Sequence, residues 1–138
     1  NAYELGVKAA VLQIIFLLIR MYPSREIVSS PDREQLKEVL QEISVKSSEN
    51  LSVADMAKFC GWSSSHFMRW FKKMTGDSFT SYVNDRRLAE AAEALRQTDD
   101  KILTISQDAG FMNLSNFNRQ FKKRYGVTPR EYREMIGI

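Results

Sequence analysis

Cysteine, histidine, proline and glycine are all scarce in this chain of 138 residues. The single cysteine, Cys60, excludes an internal disulfide framework and suits a reducing compartment. Three prolines and six glycines disfavour an all-β chain with many tight turns, and they favour helices joined by short loops. One histidine and one cysteine offer too few soft ligands for a metal site, so we expect neither a metal nor a cofactor.

The chain also lacks an apolar run as long as a membrane span, which needs about 20 residues. Its most apolar stretch, residues 7–19, is interrupted by Lys8 and Gln13. No charged segment precedes a cleavable apolar core, so we expect no signal peptide and no membrane association. Because the first residue is Asn1 rather than Met, we expect the sequence to be a fragment of a longer protein.

Residues 4–22 are predicted to form one helix that is apolar almost all round. Leu5, Leu12 and Ile19 recur every seven residues, and Ile15 occupies the other position of the same seam. A helix this apolar has to be buried. Two possibilities stay open: the helix packs on a preceding domain, or it pairs with a second copy of itself through a dimerisation seam formed by Leu5, Leu12, Ile15 and Ile19.

Residues 23–32 break this pattern with two prolines and three serines, which predicts a linker. The next segment, residues 33–46, has the apolar spacing of an amphipathic helix, at Leu36, Val39, Leu40 and Ile43. The predicted division is therefore an N-terminal helix over 1–22, a linker over 23–32 and a main domain over 33–138.

Positive charge is concentrated in the C-terminal part of the chain. Residues 1–50 carry six Lys or Arg against seven Asp or Glu, a net charge of −1. Residues 51–138 carry fourteen against ten, a net charge of +4. This balance is compatible with a nucleic-acid partner, although many solvated helical surfaces share it.

From residue 51 the sequence repeats itself, which indicates two copies of one supersecondary element. The offset between the copies is 49 residues up to a shared glycine and 50 after it, so the second copy has one extra residue in its turn. The matched pairs include Val53 and Ile102, Met56 and Ile105, Gly61 and Gly110, Phe67 and Phe117, Arg69 and Arg119, Phe71 and Phe121, and Gly76 and Gly126. Between the copies, residues 79–97 are predicted to form a long connecting helix.

Each copy has the features of a helix-turn-helix unit. In the first copy, Ser52 and Asp55 resemble an N-terminal capping pair, and Gly61 permits a sharp turn. Either Ser63 or Ser64 can then cap a second helix. This layout is the one whose second helix enters the major groove of DNA. In the second copy, Gly110 forms the turn and the cap is Asn113 or Ser115.

The second helix of each copy has an aromatic face and an opposite polar face. The aromatic residues are assigned to the core, as are those at the turns: Trp62, Phe67, Trp70, Phe71, Phe111, Phe117 and Phe121. Cys60 is interpreted as a packing residue, and Arg87 in the connecting helix is expected to make a structural ion pair.

The opposite faces carry groups that suit base edges, since Arg pairs with guanine, Asn with adenine and a thioether with the thymine methyl. The candidate base-contacting residues are Ser65, Met68 and Arg69, and Ser115, Asn116 and Arg119. The candidate phosphate-contacting residues are Ser63, Ser64, His66, Lys72, Lys73, Asn113, Lys122, Lys123 and Arg124.

The segment from Gly110 to Arg133, GFMNLSNFNRQFKKRYGVTPREYR, resembles the signature of AraC/XylS-family transcription regulators. LSVADMA from Leu51, GWS from Gly61 and FKKMTG from Phe71 resemble the first unit of the same family, and Arg87-Leu88 matches its connecting helix. The resemblance covers about residues 36–136 and contains two distinct motifs in the right order.

The resemblance implies an all-α domain of two helix-turn-helix subdomains joined by a long connecting helix. Its two recognition helices would enter adjacent major-groove segments, with half-sites about one helical turn apart. The family's base-reading positions map onto the same six residues named above, and Met68 departs from the polar side chain common there.

For the rest of the molecule, the resemblance makes residues 1–22 the closing helix of a sensor domain that would bind a small-molecule effector. It implies sequence-specific, effector-responsive regulation of transcription, most often activation, with double-stranded DNA and RNA polymerase as partners. The implied location is the bacterial cytoplasm, at the nucleoid.

No arrangement of residues indicates an enzyme. The sequence has no Cys–His–acid set, no GxxxxGK phosphate loop and no paired carboxylates flanked by a histidine, so we expect no catalytic residues. The alternative is a helical protein-interaction module that does not bind DNA. Loss of the basic and polar residues on the second helices would favour that alternative, and these residues are present.

Overall fold

The computed structural model describes residue 7, residues 10–17 and residues 30–137 of the chain. The chain divides into two units, residues 1–31 and residues 32–138. In the first unit residues 10–17 are helical, and Leu12 and Ile15 of the predicted seam are exposed. Leu5, Ile19 and the remainder of the predicted helix lie outside the described residues, so the dimerisation seam stays a prediction.

From residue 31 onward the described chain consists of helices and short connections without a strand, which confirms the all-α prediction. The seven helices are α1 (Pro31–Lys46), α2 (Val53–Cys60), α3 (Ser64–Thr75), α4 (Phe79–Gln97), α5 (Ile102–Asp108), α6 (Leu114–Tyr125) and α7 (Pro129–Ile136). The α2–α3 and α5–α6 pairs are the two helix-turn-helix units, and α4 is the connecting helix with the predicted bounds.

Helix α1 begins at Pro31, two residues before the predicted start at residue 33. In the sequence, Pro31 was assigned to the break before this helix. Proline is nevertheless well tolerated in the first turn of a helix, because the backbone N–H that it lacks would have no intrahelical acceptor there. Asp32 and Glu34 then place negative charge at the positive end of the helix dipole. The carboxylate of Asp32 also accepts a hydrogen bond from Trp70 Nε1, at 3.2 Å, which ties this end of α1 to α3.

Two separate hydrophobic cores share helix α4. Its N-terminal half contributes Phe79 and Val83 to a core with α1, α2 and α3, which we call the first lobe. Its C-terminal half contributes Leu88 and Leu95 to a core with α5 and α6, joined by Tyr132 of α7, which we call the second lobe. The aromatic residues assigned to the core are buried, except for Trp62, which is partly buried against the first core.

Both turns are built as the sequence predicts. Ser52 and Asp55 form a complete capping box at the start of α2, and Gly61 ends α2 in the left-handed conformation with φ of 73°. The two open choices of cap are settled by side-chain hydrogen bonds. Ser63 Oγ accepts from the backbone N–H of His66, and Asn113 Oδ1 accepts from that of Asn116. Each cap satisfies a backbone donor that the first turn of a helix leaves free.

The prediction that Arg87 makes an ion pair is wrong, although its side chain does hold the fold together. Its guanidinium donates from Nε to the carbonyl oxygen of Ser47, at 2.6 Å, and from Nη2 to that of Glu49, at 2.7 Å. The reason is that the end of α1 leaves backbone carbonyls without helical partners, and a guanidinium can serve two of them at once. Burial lowers the pKa of Arg87 from its ordinary value, because it withdraws the guanidinium from water.

Candidate nucleic-acid interface

The polar face of α3 is exposed along its whole length. Ser65, Met68 and Arg69 all project from the side opposite Phe67 and Phe71, which are fully buried. Met68 keeps 47% of its surface accessible. The predicted base-contacting residues of the first unit therefore lie together on one accessible helix face.

The corresponding face of α6 is arranged differently in one respect. Ser115 and Arg119 are exposed, but Asn116 is partly buried. Arg119 Nη2 donates a hydrogen bond to Asn116 Oδ1 at 2.8 Å, so the amide holds the guanidinium on the helix surface. The three predicted base-contacting residues of the second unit are thus brought together, and two of them are directly bonded.

His66 lies beside an aromatic ring at the start of α3. Its imidazole makes an edge contact with Trp62, with 4.6 Å between ring centroids, and Trp62 makes a similar contact with Trp70 at 4.9 Å. His66 is still exposed, as are Ser63 and Ser64 beside it. This end of α3 therefore presents exposed polar groups and a helix N-terminus, which suit an anionic partner.

Cationic side chains lie at the C-terminal ends of both recognition helices. Lys72, Lys73, Lys122 and Lys123 are exposed in the last turns, where they also interact favourably with the helix dipole. Arg124 is less free: its Nε lies 3.6 Å from Asp85 Oδ1 on α4, and its guanidinium lies 5.7 Å from the Tyr125 ring centroid. Arg124 is therefore already paired with a carboxylate of α4.

Two depressions lie beside the start of α4, one near α3 and one near α6. A groove of about 240 Å³ lies beside Met68 and Arg69, and a cleft of about 400 Å³ lies beside Lys123 and Arg124. Ser78, the N-cap of α4, and Thr80 in its first turn line both depressions. The surface between the two recognition helices is therefore concave and carries hydroxyl and cationic groups.

Two accessible residues of the second unit were missed in the sequence interpretation. The 50-residue offset pairs Met68 with Asn118, yet Asn116 alone was taken as the amide of that face. Applying the offset strictly would have found Asn118, which is partly exposed. The second is Met112, the extra residue of the second turn, which is 97% exposed between Phe111 and the N-cap Asn113.

We also examined the described part of the chain for metal sites, membrane spans and a reactive cysteine. No group of three or more His, Cys, Asp or Glu side chains in it is placed to hold a metal ion. Among the same residues, no helix has the length and apolarity needed to cross a membrane. Cys60 is partly buried against the first core, and this burial raises the pKa of its thiol, which is consistent with the packing role that the sequence predicts.

Comparison with known proteins agrees with this arrangement. Residues 56–135 match a family model described as a helix-turn-helix domain. The chain is 36% identical over 88 residues to an uncharacterized HTH-type transcriptional regulator, YobQ, of Bacillus subtilis, covering 64% of this chain and 36% of that protein. The chain spans less than half the length of curated relatives that it matches, this one among them.

Solved structures share the fold. A transcriptional regulator with an AraC-type DNA-binding domain from Chromobacterium violaceum superposes with a TM-score of 0.70 at 28% identity, covering 76% of this chain and 94% of that one. The DNA-binding domain of AdpA, a global transcriptional factor solved in complex with a target DNA, superposes with a TM-score of 0.66 at 22% identity, covering 78% and 93%. The family match, the doubled helix-turn-helix and these neighbours together show that the chain belongs to the AraC-type family of helix-turn-helix domains.

Proposed function

We propose that this chain binds double-stranded DNA sequence-specifically through α3 and α6 and regulates transcription. The observation that carries the proposal is the equivalence of Arg69 and Arg119. Each lies at the same position of its repeat, on the exposed face of its second helix. A lone exposed arginine is usually a solvated charge, whereas two at equivalent positions of two recognition helices fit paired readout of guanine. AdpA, which shares the fold, binds its target DNA with such a domain.

Within this proposal the recognition helices read bases and the residues around them hold the backbone. Arg69 and Arg119 would each make two hydrogen bonds to a guanine, and Met68 would pack against a thymine methyl. The residues that would contact phosphates are those at the helix starts and ends, namely Ser63, Ser64, His66, Lys72, Lys73, Asn113, Lys122, Lys123 and Arg124. The concave surface between the helices would face the duplex backbone that separates the half-sites.

The wider role of the protein is part of the same proposal. We expect an effector-responsive activator of the bacterial cytoplasm, working at the nucleoid with RNA polymerase and without catalytic activity. The effector would bind a sensor domain, and residues 1–22 would mediate homodimerisation. Residues 10–17 are helical and exposed, which is compatible with such a contact.

The proposal can be tested by selecting binding sites from a pool of random double-stranded DNA at two salt concentrations, followed by sequencing. Two enriched blocks about one helical turn apart, with affinity that falls steeply with salt, are expected. One enriched block would mean that one recognition helix reads and the other only positions. No enrichment and no salt effect would exclude DNA binding and favour a protein-interaction module. The matched control is the Arg69→Ala/Arg119→Ala double variant, which should retain the fold and lose the enrichment.

A further inference from the structure

The connection between α1 and α2 in the first lobe lies against the middle of α4. Arg87 of α4 donates to the carbonyl oxygens of Ser47 and Glu49 in this connection, at 2.6 Å and 2.7 Å. In return, Ser47 donates from Oγ to the carboxylate of Glu90, one turn further along α4, at 2.9 Å. Ser47 is 3% exposed, and the two bonds that it makes are partly buried, whereas the bond from Arg87 to Glu49 is exposed.

The turn of the second helix-turn-helix unit meets this same connection. Gly110 has φ of +95°, and a Cβ added to it would lie 2.8 Å from the carbonyl oxygen of Ser48 and 3.0 Å from Arg87 Nε. Gly61, its counterpart in the first turn, has nothing within 4 Å of the same point. The turn alone does not require this close approach, which therefore belongs to the contact between the lobes. We call the set of Ser47, Ser48, Glu49, Arg87 and Gly110 the interlobe junction.

A second interlobe contact lies on the other side of α4. Asp85 and Arg87 are two positions apart, which places their side chains about 200° apart around the helix. Asp85 pairs with Arg124 of α6 at 3.6 Å, but both side chains are about half exposed. Water and salt weaken such a pair, whereas the two bonds of Ser47 in the interlobe junction are partly buried and therefore less screened. The interlobe junction is therefore the firmer of the two contacts.

We propose that Arg87 determines the half-site spacing that this chain accepts, by fixing the orientation of one lobe relative to the other. Each lobe packs its own core on α4, so the helix joins the lobes without itself preventing small changes in their relative tilt. Arg87 ties the α1–α2 connection of the first lobe to α4, and the turn at Gly110 of the second lobe packs closely against that connection and against Arg87. Adding a base pair between half-sites moves them apart by about 3.4 Å and rotates them by roughly one tenth of a turn, a change that a rigid pair of helices cannot follow.

The inference rests on the proposed reading of DNA by both helices, and Arg87 acts in it as a positioning residue. The test uses the best site selected by the wild-type chain, together with versions whose spacer is one base pair shorter or longer. Dissociation constants are measured by fluorescence anisotropy for Arg87→Lys, which keeps the charge but loses the fork that serves two carbonyls. Arg96→Lys is the matched control, because Arg96 lies on the same helix and bonds only within the second lobe, to Glu93 and Tyr132.

The wild-type chain and Arg96→Lys are expected to lose roughly tenfold in affinity for each altered spacer. Arg87→Lys should bind the best spacer more weakly and lose less than about threefold on the altered ones, because flexible lobes accommodate them. A merely structural role would lower affinity equally for all three spacers, and that result overturns the inference. A wild-type chain that is indifferent to the spacer overturns the proposed two-helix reading as well.

Thermal unfolding by circular dichroism shows which variants are folded at the assay temperature. If Arg87→Lys is unfolded there, the three spacers are compared for this variant and for the wild-type chain at a lower temperature, at which both are folded. A spacer preference flatter than that of the wild-type chain supports the inference. An unchanged preference overturns it.

Discussion

Arg119 is bonded to Asn116 across one turn of α6, from Nη2 to Oδ1 at 2.8 Å. A free arginine on a helix surface samples many rotamers, and fixing it on DNA costs side-chain entropy of up to about 2 kcal/mol. The amide of Asn116 removes part of this cost before DNA arrives. The second recognition helix therefore presents an arginine that is already partly ordered.

We predict that Asn116 contributes to affinity through Arg119. Asn116→Ala should weaken binding by about 0.5–1 kcal/mol, since it frees the guanidinium. In an Arg119→Ala background the same substitution should have almost no effect. A double-mutant cycle measured by fluorescence anisotropy gives this coupling energy. If Asn116→Ala weakens binding by the same amount in both backgrounds, Asn116 instead contacts a base directly.

The first unit provides the control for this cycle. The offset of 50 residues pairs Asn116 with His66 and Arg119 with Arg69. The His66 ring packs on Trp62, at 4.6 Å between centroids. We therefore expect His66→Ala and Arg69→Ala to have additive effects on affinity.

A second prediction separates base reading from phosphate binding on α6. Arg119→Ala should relax the preference at one block of the selected site by about 1–3 kcal/mol. Lys122→Ala should weaken binding to all sequences alike and lower the slope of log affinity against log salt by about 1. Selection experiments and salt titrations on both variants provide the two readouts. Equal loss of sequence preference in the two variants would contradict the assigned roles.

Much of this fold follows from local sequence signals. Both aromatic stripes are spaced for burial, and the structure buries them as the spacing predicts. The capping box of Ser52 and Asp55 and the left-handed Gly61 are likewise local, because each depends on residues within one turn. The repeat of the motif then predicted the overall architecture, in which two helix-turn-helix units are separated by one connecting helix.

The contacts between distant residues could not be predicted in the same way. Arg87 was expected to pair with an acid, because sequence gives the charge of a side chain but not its neighbours in space. Its partners are carbonyl oxygens about 40 residues away, and backbone carbonyls leave no mark on a sequence. The bond from Arg119 to Asn116 is different, since a pair three residues apart on one helix is within reach of sequence rules and was overlooked.

A third prediction compares the two turn glycines. Gly61→Ala should cost about 1–2 kcal/mol of unfolding free energy, from placing a Cβ in the left-handed conformation. Gly110→Ala should cost about 2–5 kcal/mol, because the added Cβ also meets the Ser48 carbonyl at 2.8 Å. Urea unfolding followed by tryptophan fluorescence measures both values. Similar costs at the two positions would show that the close approach at Gly110 relaxes freely.

The last prediction concerns acid and the capping box that begins α7. Glu131 accepts hydrogen bonds from the backbone N–H of Thr128, at 2.7 Å, and from its hydroxyl, at 2.9 Å. These bonds, the backbone one first, hold the pKa of Glu131 below its ordinary value of 4.5. A carboxylate whose pKa is lowered by folding stabilises the protein fully above the unfolded value and loses that effect as the pH falls through the folded one.

Glu131→Gln keeps an acceptor for the Thr128 N–H and removes the titration. The wild-type chain should therefore melt higher than this variant at pH 7, and the gap should shrink once the pH falls below about 4.5. Asp55→Asn tests the matching box at α2, where hydrogen bonds from Ser52, its hydroxyl first, lower the pKa of Asp55 from 3.8. The difference in melting temperature between the wild-type chain and Asp55→Asn should begin to shrink at a lower pH than that for Glu131→Gln, because the ordinary pKa of aspartate is lower than that of glutamate. Melting temperatures measured by circular dichroism across this pH range provide the comparison, and gaps that stay constant into strong acid would mean that neither carboxylate needs its charge to cap its helix.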